Sequence, residues 1–339
     1  MNRTQRIVLP LLKNMPLILF VGIFVLFSLL DQRFFAVANI SNIVLSSAFV
    51  GTVAVGMTFV LLTGGIDLSV GATMYISGAV IVMLLEKSWP MAIVLPLGLV
   101  AGTLWGGLNA LLITRLNIIP FMATLGTLTA GRGLGLLITE SRHIAVPDEM
   151  RFGAERILGL PIPILIFAAV VLVAFIVLSY TPYGRQIYAM GNDVEAAKKA
   201  GLNTRRLTAS VYVISGFCAA LGAIIAISQQ GSVSSSFGRG VEFRAIAAAV
   251  LGGTSLFGGV GNVFPGTVIG VLLMQMIQNG LIYLQVDLYL QDMVTALVIF
   301  FAVFIDALRA QVIRKLERRN IRVEKGTATV RASADPAPS

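Results

Sequence analysis

The sequence predicts an all-α, polytopic integral membrane protein with about ten transmembrane helices and both termini in the cytoplasm. Three observations lead to this fold class: the composition, the number of long apolar segments, and the distribution of lysine and arginine. Hydrophobic residues occupy 57% of the 339 positions and charged residues only 12%, with a mean hydropathy of +0.89. Because soluble domains carry about 25% charged residues, the apolar surface of this chain requires lipid to cover it.

Ten segments approach the roughly 20 apolar residues that a membrane-spanning helix needs. They are 15–31, 43–62, 68–85, 91–114, 119–139, 161–180, 208–228, 243–257, 263–284 and 290–308. The eighth is short and predicts a partial span. The first follows Arg3, Arg6 and Lys13 without a small-x-small cleavage motif after it, which predicts an uncleaved first helix.

The basic residues indicate the orientation of these segments. If the N-terminus is cytoplasmic and the segments alternate, the cytoplasmic side receives Arg3, Arg6, Lys13, Arg115, five basic residues of 185–206 and eight of 309–331. The opposite side receives Arg33, Lys87, Arg142, Arg151, Arg156 and Arg239, with Arg244 near the boundary. This asymmetry follows the positive-inside rule, and removing one segment would place a strongly basic region outside.

The chain divides into a cytoplasmic N-terminus (1–14), a transmembrane domain (15–308) with a cytoplasmic loop (183–206), and a basic tail (309–339). The tail ends in Ala, Ser, Asp and Pro without apolar periodicity, which predicts disorder. Its basic residues are expected to lie against anionic membrane lipid. The net charge of +9 does not indicate nucleic acid, because the basic residues occupy short loops and the tail.

Several kinds of chemistry are missing from the sequence. No G-x-x-x-x-G-K-[ST] motif is present, so we expect no nucleotide site of the P-loop kind. His143 has no second His or Cys nearby, which argues against zinc, and Cys218 lies in an apolar segment where a core thiol is expected. We therefore expect no catalytic residue, no metal and no cofactor in this chain.

The loop 183–206 is a long basic interruption between two apolar segments. Its centre, from Glu195 to Ala200, predicts a short helix with Gly201 as C-cap. A basic, helix-forming loop in a membrane protein is expected to contact a cytoplasmic partner. The candidate contact residues are Gly191, Glu195, Ala196, Ala197 and Gly201.

Polar side chains within the apolar segments are candidates for a translocation path. Asp67 precedes the third segment and is interpreted as an N-cap, with substrate contact as the alternative. Gln275, Gln278 and Asn279 share one helical face, and their amides suit either a sugar or contacts between helices. Asn109 is a weaker candidate of the same kind.

Four charged residues lie in or near the apolar segments, where charges are costly. The alternation of spans places them in the outer half, and they are Arg132, Glu242, Arg244 and Asp292. One interpretation is a paired charge cluster at the outer mouth. The alternative is that each side chain reaches the interface separately.

Glycine patterns add two expectations. The segments 64–71 and 252–259 both read GGxxLxxG at the end of an apolar run, which is compatible with an internal repeat or with the abundance of glycine. Gly98, Gly102 and Gly106 have helical spacing, as do Gly266 and Gly270. Such small residues predict close approach between helices.

A series of short motifs occurs in order along the chain. They are Ala54-Val55-Gly56-Met57-Thr58, Gly65-Ile66-Asp67-Leu68-Ser69-Val70-Gly71, Ala123-Thr124-Leu125, Arg132-Gly133, Tyr183-Gly184-Arg185, Ala189-Met190-Gly191-Asn192, Glu195-Ala196-Ala197 with Gly201, Ala245-Ile246-Ala247-Ala248, Val250-Leu251-Gly252-Gly253-Thr254-Ser255-Leu256 and Asn279-Gly280-Leu281. Together, and up to about Arg309, these motifs resemble the permease subunits of bacterial ABC importers for pentoses and related sugars. Arg244 and Asp292 depart from the resemblance, which opens the substrate to an acidic or unusual sugar.

The resemblance implies a transporter of two permease subunits (a homo- or heterodimer), two cytoplasmic ATPase subunits and a periplasmic sugar-binding protein. ATP and Mg would bind the ATPase, which would receive the helix of loop 183–206 in a groove. The alternative is an ion-coupled secondary sugar transporter, which would use buried carboxylates and need no docking loop.

Overall fold

The structure is a computed structural model that describes residues 15–287, 289–291 and 293–304. The predicted N-terminal segment 1–14, the tail 309–339 and Asp292 lie outside the described residues. Helices account for nearly all regular structure in the described part, which confirms the all-α fold class.

Twelve α-helices are named here in chain order. They are α1 (Met15–Leu30), α2 (Val37–Leu62), α3 (Val70–Glu86), α4 (Met91–Thr114), α5 (Pro120–Thr139), α6 (Ile162–Tyr180), α7 (Pro182–Asn192), α8 (Val194–Lys199), α9 (Thr204–Gln230), α10 (Val241–Leu251), α11 (Val268–Tyr283) and α12 (Tyr289–Phe304). Short 3₁₀ helices cover Gln32–Phe35, Asp148–Met150 and Phe152–Ala154, and a π-helical turn, Val263–Thr267, leads into α11.

Four two-residue strands form two small antiparallel ladders outside the helices. They are β1 (Ile144–Ala145), β2 (Arg156–Ile157), β3 (Leu160–Pro161) and β4 (Ser232–Val233). Strand β1 pairs with β4, with Ile144 opposite Val233, and β2 pairs with β3. The β1–β4 pair ties the segment after α5 to the segment that leads into α10.

Six of the described helices are long and apolar enough to cross a membrane. They are Val37–Leu62, Met91–Thr114, Pro120–Thr139, Ile162–Tyr180, Thr204–Gln230 and Val263–Tyr283. The apolar helices Met15–Leu30, Val70–Glu86 and Tyr289–Phe304 are shorter. Helix α10 has 11 residues, about half the length needed to span a bilayer. The count of ten spans and the orientation of the termini stay predictions.

Helices α2 and α9 form the centre of the structure. In the most apolar 18-residue stretch of each, 78% of the residues of α2 and 72% of those of α9 are buried. Helix α9 packs closely on α4 because glycines face each other. A Cβ on Gly216 would lie 2.6 Å from the Gly102 carbonyl oxygen and 2.8 Å from the Gly106 Cα. The close helix approach predicted from the glycine spacing of α4 is therefore confirmed, and Cys218 is buried in the same core.

Candidate functional site

Helix α8 lies between the long helices α6 and α9 and is capped at both ends. The Asp193 carboxylate accepts hydrogen bonds from the backbone N–H groups of Glu195 (2.9 Å) and Ala196 (3.0 Å). At the other end, Gly201 has a φ of +82°, and the Gly201 and Leu202 N–H groups donate to the Lys198 and Ala197 carbonyls. This Schellman arrangement confirms the predicted helix, one residue earlier at each end than expected, and it places the left-handed Gly201 just after the C-cap residue Ala200.

One face of α8 is buried and the other is exposed. Ala197 is buried against Met190 and Leu207, and this contact fixes α8 on α7 and α9. Glu195 and Lys198 are exposed and form an ion pair of 2.7 Å. Val194 is 42% exposed beside them. The short helix therefore presents a mixed apolar and charged surface to its surroundings.

Helix α7 is anchored through two tyrosine hydroxyls. The Tyr183 hydroxyl is hydrogen-bonded to the Ser210 hydroxyl of α9, and the Tyr188 hydroxyl donates to the Gly261 carbonyl at 2.9 Å. Burial raises the pKa of both tyrosines, so their hydroxyls stay protonated and available as donors. Together α7 and α8, residues 182–199, form what is called the coupling segment below.

Four glycines join the coupling segment to two distant parts of the chain, and they are named the glycine junction: Gly64, Gly191, Gly258 and Gly259. A Cβ on Gly191 would collide with the Leu62 carbonyl oxygen at the end of α2 and with the Gly259 nitrogen. The Gly259 N–H donates to that same Leu62 carbonyl at 2.9 Å. A Cβ on Gly258, where φ is +86°, would lie 2.8 Å from the Gly191 oxygen and 2.9 Å from the Gly64 nitrogen.

The glycine junction contains one glycine from the first GGxxLxxG motif and two from the second. The two motifs therefore contact each other, and the coupling segment packs against the second motif and against Leu62, just before the first. The contacts of Gly191 and Gly258 are with backbone atoms, whereas Gly259 also faces the Asn192 side chain at the end of α7. Few side-chain atoms are therefore available to yield when one of the three segments moves. Sequence reasoning did not identify Gly258 and Gly259 as site residues, and the repeated motif was the signal that could have found them.

The chain leaves the junction through Gly65 and enters a buried hydrogen-bond network around Asp67. The Asp67 carboxylate accepts bonds from the Ser215 hydroxyl (2.8 Å), the Ser69 hydroxyl (2.7 Å) and the Ser69 N–H (2.9 Å). Asn109 donates to the Ser69 hydroxyl at 2.7 Å and accepts from Thr127 at 2.6 Å. This Asp67 network links the α2–α3 connection to α4, α5 and α9.

Asp67 is buried, and burial raises the pKa of its carboxyl, whereas the bonds from Ser69 and Ser215 act in the opposite direction. Helix α3 begins at Val70 with Ser69 at the N-cap position. The prediction that Asp67 is the N-cap residue of α3 is therefore wrong, because a turn at Leu68 and Ser69 separates Asp67 from the start of the helix. Asp67 does accept a backbone N–H, as the prediction required.

Arg132 and Glu242 both face Gly71, in the first turn of α3. Arg132 Nη1 donates to the Phe237 carbonyl at 2.6 Å, and its guanidinium lies 5.7 Å from the centre of the Tyr75 ring. A Cβ on Gly71 would collide with Glu242 Oε2 and lie 3.2 Å from Arg132 Nη2. Both of these atoms are buried without a hydrogen-bond partner, and within the described residues no ion pair joins them.

The other two members of the predicted charge cluster are placed differently. The guanidinium of Arg244 lies 5.8 Å from the centre of the Phe49 ring of α2. Asp292 lies outside the described residues. The structure thus brings Arg132 and Glu242 to one place, and Arg244 interacts electrostatically with Glu242 while its guanidinium lies against another helix.

The three amides of α11 are also separated. Asn279 donates to the Asn39 side chain of α2 at 2.6 Å, and Asn39 donates to the Phe34 carbonyl at 2.7 Å. The amides of Gln275 and Gln278 make no hydrogen bond in the part of the chain that the structure describes. Gln278 lines a cleft beside α10, and Gln275 does not.

Long apolar helices around a polar interior, together with a capped helix pair between two of them, define a multi-pass membrane protein with a polar extramembrane segment. Comparison with known proteins narrows this class. Residues 39–303 match the family model described as "Branched-chain amino acid transport system / permease component". The chain belongs to this family of permease components, which are transport components.

Similar proteins are known from several bacteria. The ribose import permease protein RbsC of Haemophilus influenzae is 38% identical over 82% of this chain and 88% of its own length. The RbsC protein of Bacillus subtilis is 38% identical over 85% of this chain and 91% of its own. The autoinducer 2 import system permease protein LsrC of Photorhabdus laumondii is 34% identical over 91% of this chain and 92% of its own length. No solved structure gives a significant match to the chain.

Proposed function

We propose that this chain is the transmembrane permease subunit of an ATP-driven ABC importer in a bacterial inner membrane. It translocates a sugar, a pentose or related monosaccharide, that a periplasmic binding protein delivers. The names of the ribose import relatives support the sugar class. The observation that carries the proposal is the coupling segment, in which the exposed helix α8 follows directly on α7, and α7 contacts the rest of the protein through the glycine junction.

The proposed partners are supported by the permease family to which the chain belongs. A cytoplasmic ATPase subunit binds the exposed face of α8 and supplies the ATP and Mg site, since the sequence has no P-loop. A second permease subunit completes the path. The binding protein docks on segment 140–160, whose charged side chains include Glu149, Arg151 and Arg156.

The geometry gives the coupling a physical route. Movement of α8 with the ATPase moves Gly191, which contacts the end of α2 through Leu62 and the α10–α11 connection through Gly259. The first contact leads to Asp67 along the chain, and the second leads to α10 and Glu242. Rigid, closely packed contacts transmit displacement because they cannot be compressed.

Loss of the docking contact should be separable from membrane folding. Glu195→Lys reverses a charge on the exposed face of α8 and breaks its ion pair with Lys198, so we expect the protein to remain abundant in the membrane. Co-purification of the ATPase and sugar uptake should both fall. Glu155→Lys, the same change at an exposed glutamate of segment 140–160, is the matched control and should leave ATPase co-purification intact. Unchanged co-purification and unchanged uptake with Glu195→Lys would count against α8 as the docking surface.

A further inference from the structure

A cleft of about 780 Å³ opens between the start of α10, α11 and α12. Its lining includes Ser236, Arg239, Phe243, Gln278 and Thr295. The volume lies within the range of about 300–1,000 Å³ that is usual for small-molecule sites. The lining combines an aromatic ring with several hydrogen-bonding side chains, which is also typical of such sites.

The amide of Gln278 in this cleft differs from the polar side chains that join helices elsewhere in the interior. Asp67, Asn109 and Asn279 have their hydrogen bonds satisfied by other helices. The amides of Gln275 and Gln278, on the same helix as Asn279, make no hydrogen bond in the described part of the chain, and of the two only Gln278 lines the cleft. An amide that contributes nothing to helix association is costly in lipid and is expected where water or a ligand satisfies it.

Two neighbours of Gln278 complete the chemistry. Phe243 exposes 49% of its surface although it belongs to the short helix α10, so its ring is available for contact. Arg239 is exposed, and its guanidinium carries five N–H donors. The Phe243 ring suits the apolar face of a sugar. The Gln278 amide, which both donates and accepts hydrogen bonds, and the Arg239 guanidinium, which donates several, suit its hydroxyl groups.

We propose that this cleft is the monosaccharide contact site of the translocation path. Phe243 packs against the apolar face of the sugar, and Gln278 and Arg239 hydrogen-bond its hydroxyl groups. The proposal rests on the proposed function, because it assumes that the translocated molecule is a sugar. It also assigns separate roles to the candidate path residues: Gln278 contacts the sugar, and Asp67, Asn109 and Asn279 hold helices together.

Protection of an introduced thiol tests the site. The natural Cys218 is buried, so Ser236→Cys places one accessible thiol at the cleft, and Ser88→Cys places one at a distant exposed turn. Membranes with the assembled transporter are labelled with a maleimide in the presence of D-ribose, D-xylose or L-arabinose, with sorbitol as the osmotic control. We expect at least one pentose to slow labelling of Ser236→Cys and none to affect Ser88→Cys.

Second substitutions show whether the protection comes from the proposed contacts. Gln278→Leu should raise the half-protecting sugar concentration up to about tenfold, the equivalent of one lost hydrogen bond. Gln275→Leu, the same change one turn earlier and outside the cleft, should leave it unchanged, and Phe243→Leu should weaken protection as Gln278→Leu does.

Absence of protection by every pentose, or equal protection in the Gln278→Leu and Gln275→Leu proteins, would overturn the proposal. Labelling needs no ATP, so this outcome is distinguishable from a failure of ATP-driven transport, which only the uptake measurement reports.

Discussion

The glycine junction and the Asp67 network hold the same α2–α3 connection in two different ways. At the junction, Gly258 packs against both Gly64 and Gly191 through backbone atoms. Three residues further along, Asp67 is held by side-chain hydrogen bonds from α9 and from the following turn. From this contrast we infer that the two regions have separate roles: the glycine junction transmits movement, and the Asp67 network stabilises the fold. Substitutions should therefore affect transport and stability separately.

Gly191→Ala should have the largest effect on transport. An alanine Cβ would collide with the Leu62 carbonyl, so α7 must move away from the end of α2. The substitution itself favours the helix by about 0.5–1 kcal/mol, so any defect reflects the collision. We expect uptake to be lost while α8 still binds the ATPase.

Gly126→Ala is the control, because a Cβ there meets no atom within 4 Å. Uptake and ATPase co-purification are measured for both variants. Normal uptake by Gly191→Ala would remove the junction from the coupling route.

Asp67→Ala should have the largest effect on stability. It removes the acceptor of three hydrogen bonds from Ser69 and Ser215. Since each buried polar group left unsatisfied costs about 1–3 kcal/mol, the loss is on the order of 3 kcal/mol. Thermal unfolding of the purified protein in detergent measures it. Asp193→Ala, which removes an exposed helix cap, should cost only about 1 kcal/mol, and equal losses would contradict a stabilising Asp67 network.

Arg132→Leu should reduce stability by an intermediate amount. The variant loses the charged hydrogen bond to the Phe237 carbonyl, worth about 2 kcal/mol. The charge of the buried Glu242 is then less well compensated, because of its two cationic neighbours only Arg244 remains. Adding Glu242→Gln should restore part of the loss, because the uncompensated charge is then removed. The double variant is compared with both single variants by thermal unfolding, and strict additivity would show that Arg132 and Glu242 act independently.

Asn279→Leu should have the smallest effect on stability of the substitutions considered. Its bond to Asn39 joins α11 to α2, and hydrogen bonds between membrane helices contribute about 0.6 kcal/mol on average. Gln275→Leu, which breaks no hydrogen bond in the described part of the chain, should leave the unfolding temperature unchanged. A larger drop with Gln275→Leu would indicate that the roles of the two amides are reversed.

Local patterns predicted the parts of the molecule that depend on local sequence. In the described residues a helix overlaps each of the ten predicted apolar segments, although the helix at the eighth ends at Leu251, and Gly201 follows the end of α8. Apolar runs and glycine caps are properties of neighbouring residues, whereas the number of spans stays a prediction. Asp67 shows the limit of this reasoning: its partner Ser215 is 148 residues away, so the sequence indicated a cap where the structure has a network.

The junction and the Arg132 site could not be predicted in full for a related reason. Contacts between glycine backbones leave no pattern of side chains, and the only sign of them was the repeated GGxxLxxG motif. One interpretation of the sequence paired Arg132 with a carboxylate, but its shortest hydrogen bond is to the backbone carbonyl of Phe237. A carbonyl acceptor is present at every residue, so its choice depends on the fold alone.

Reconstitution into liposomes tests the central claim most directly. The chain is incorporated with its ATPase, the binding protein is added on the opposite side, and accumulation of labelled D-ribose, D-xylose or L-arabinose is followed. The account predicts accumulation only when ATP, the ATPase and the binding protein are all present, and none with the chain alone under a proton or sodium gradient. Accumulation by the chain alone under an ion gradient would contradict the account and establish the secondary transporter instead.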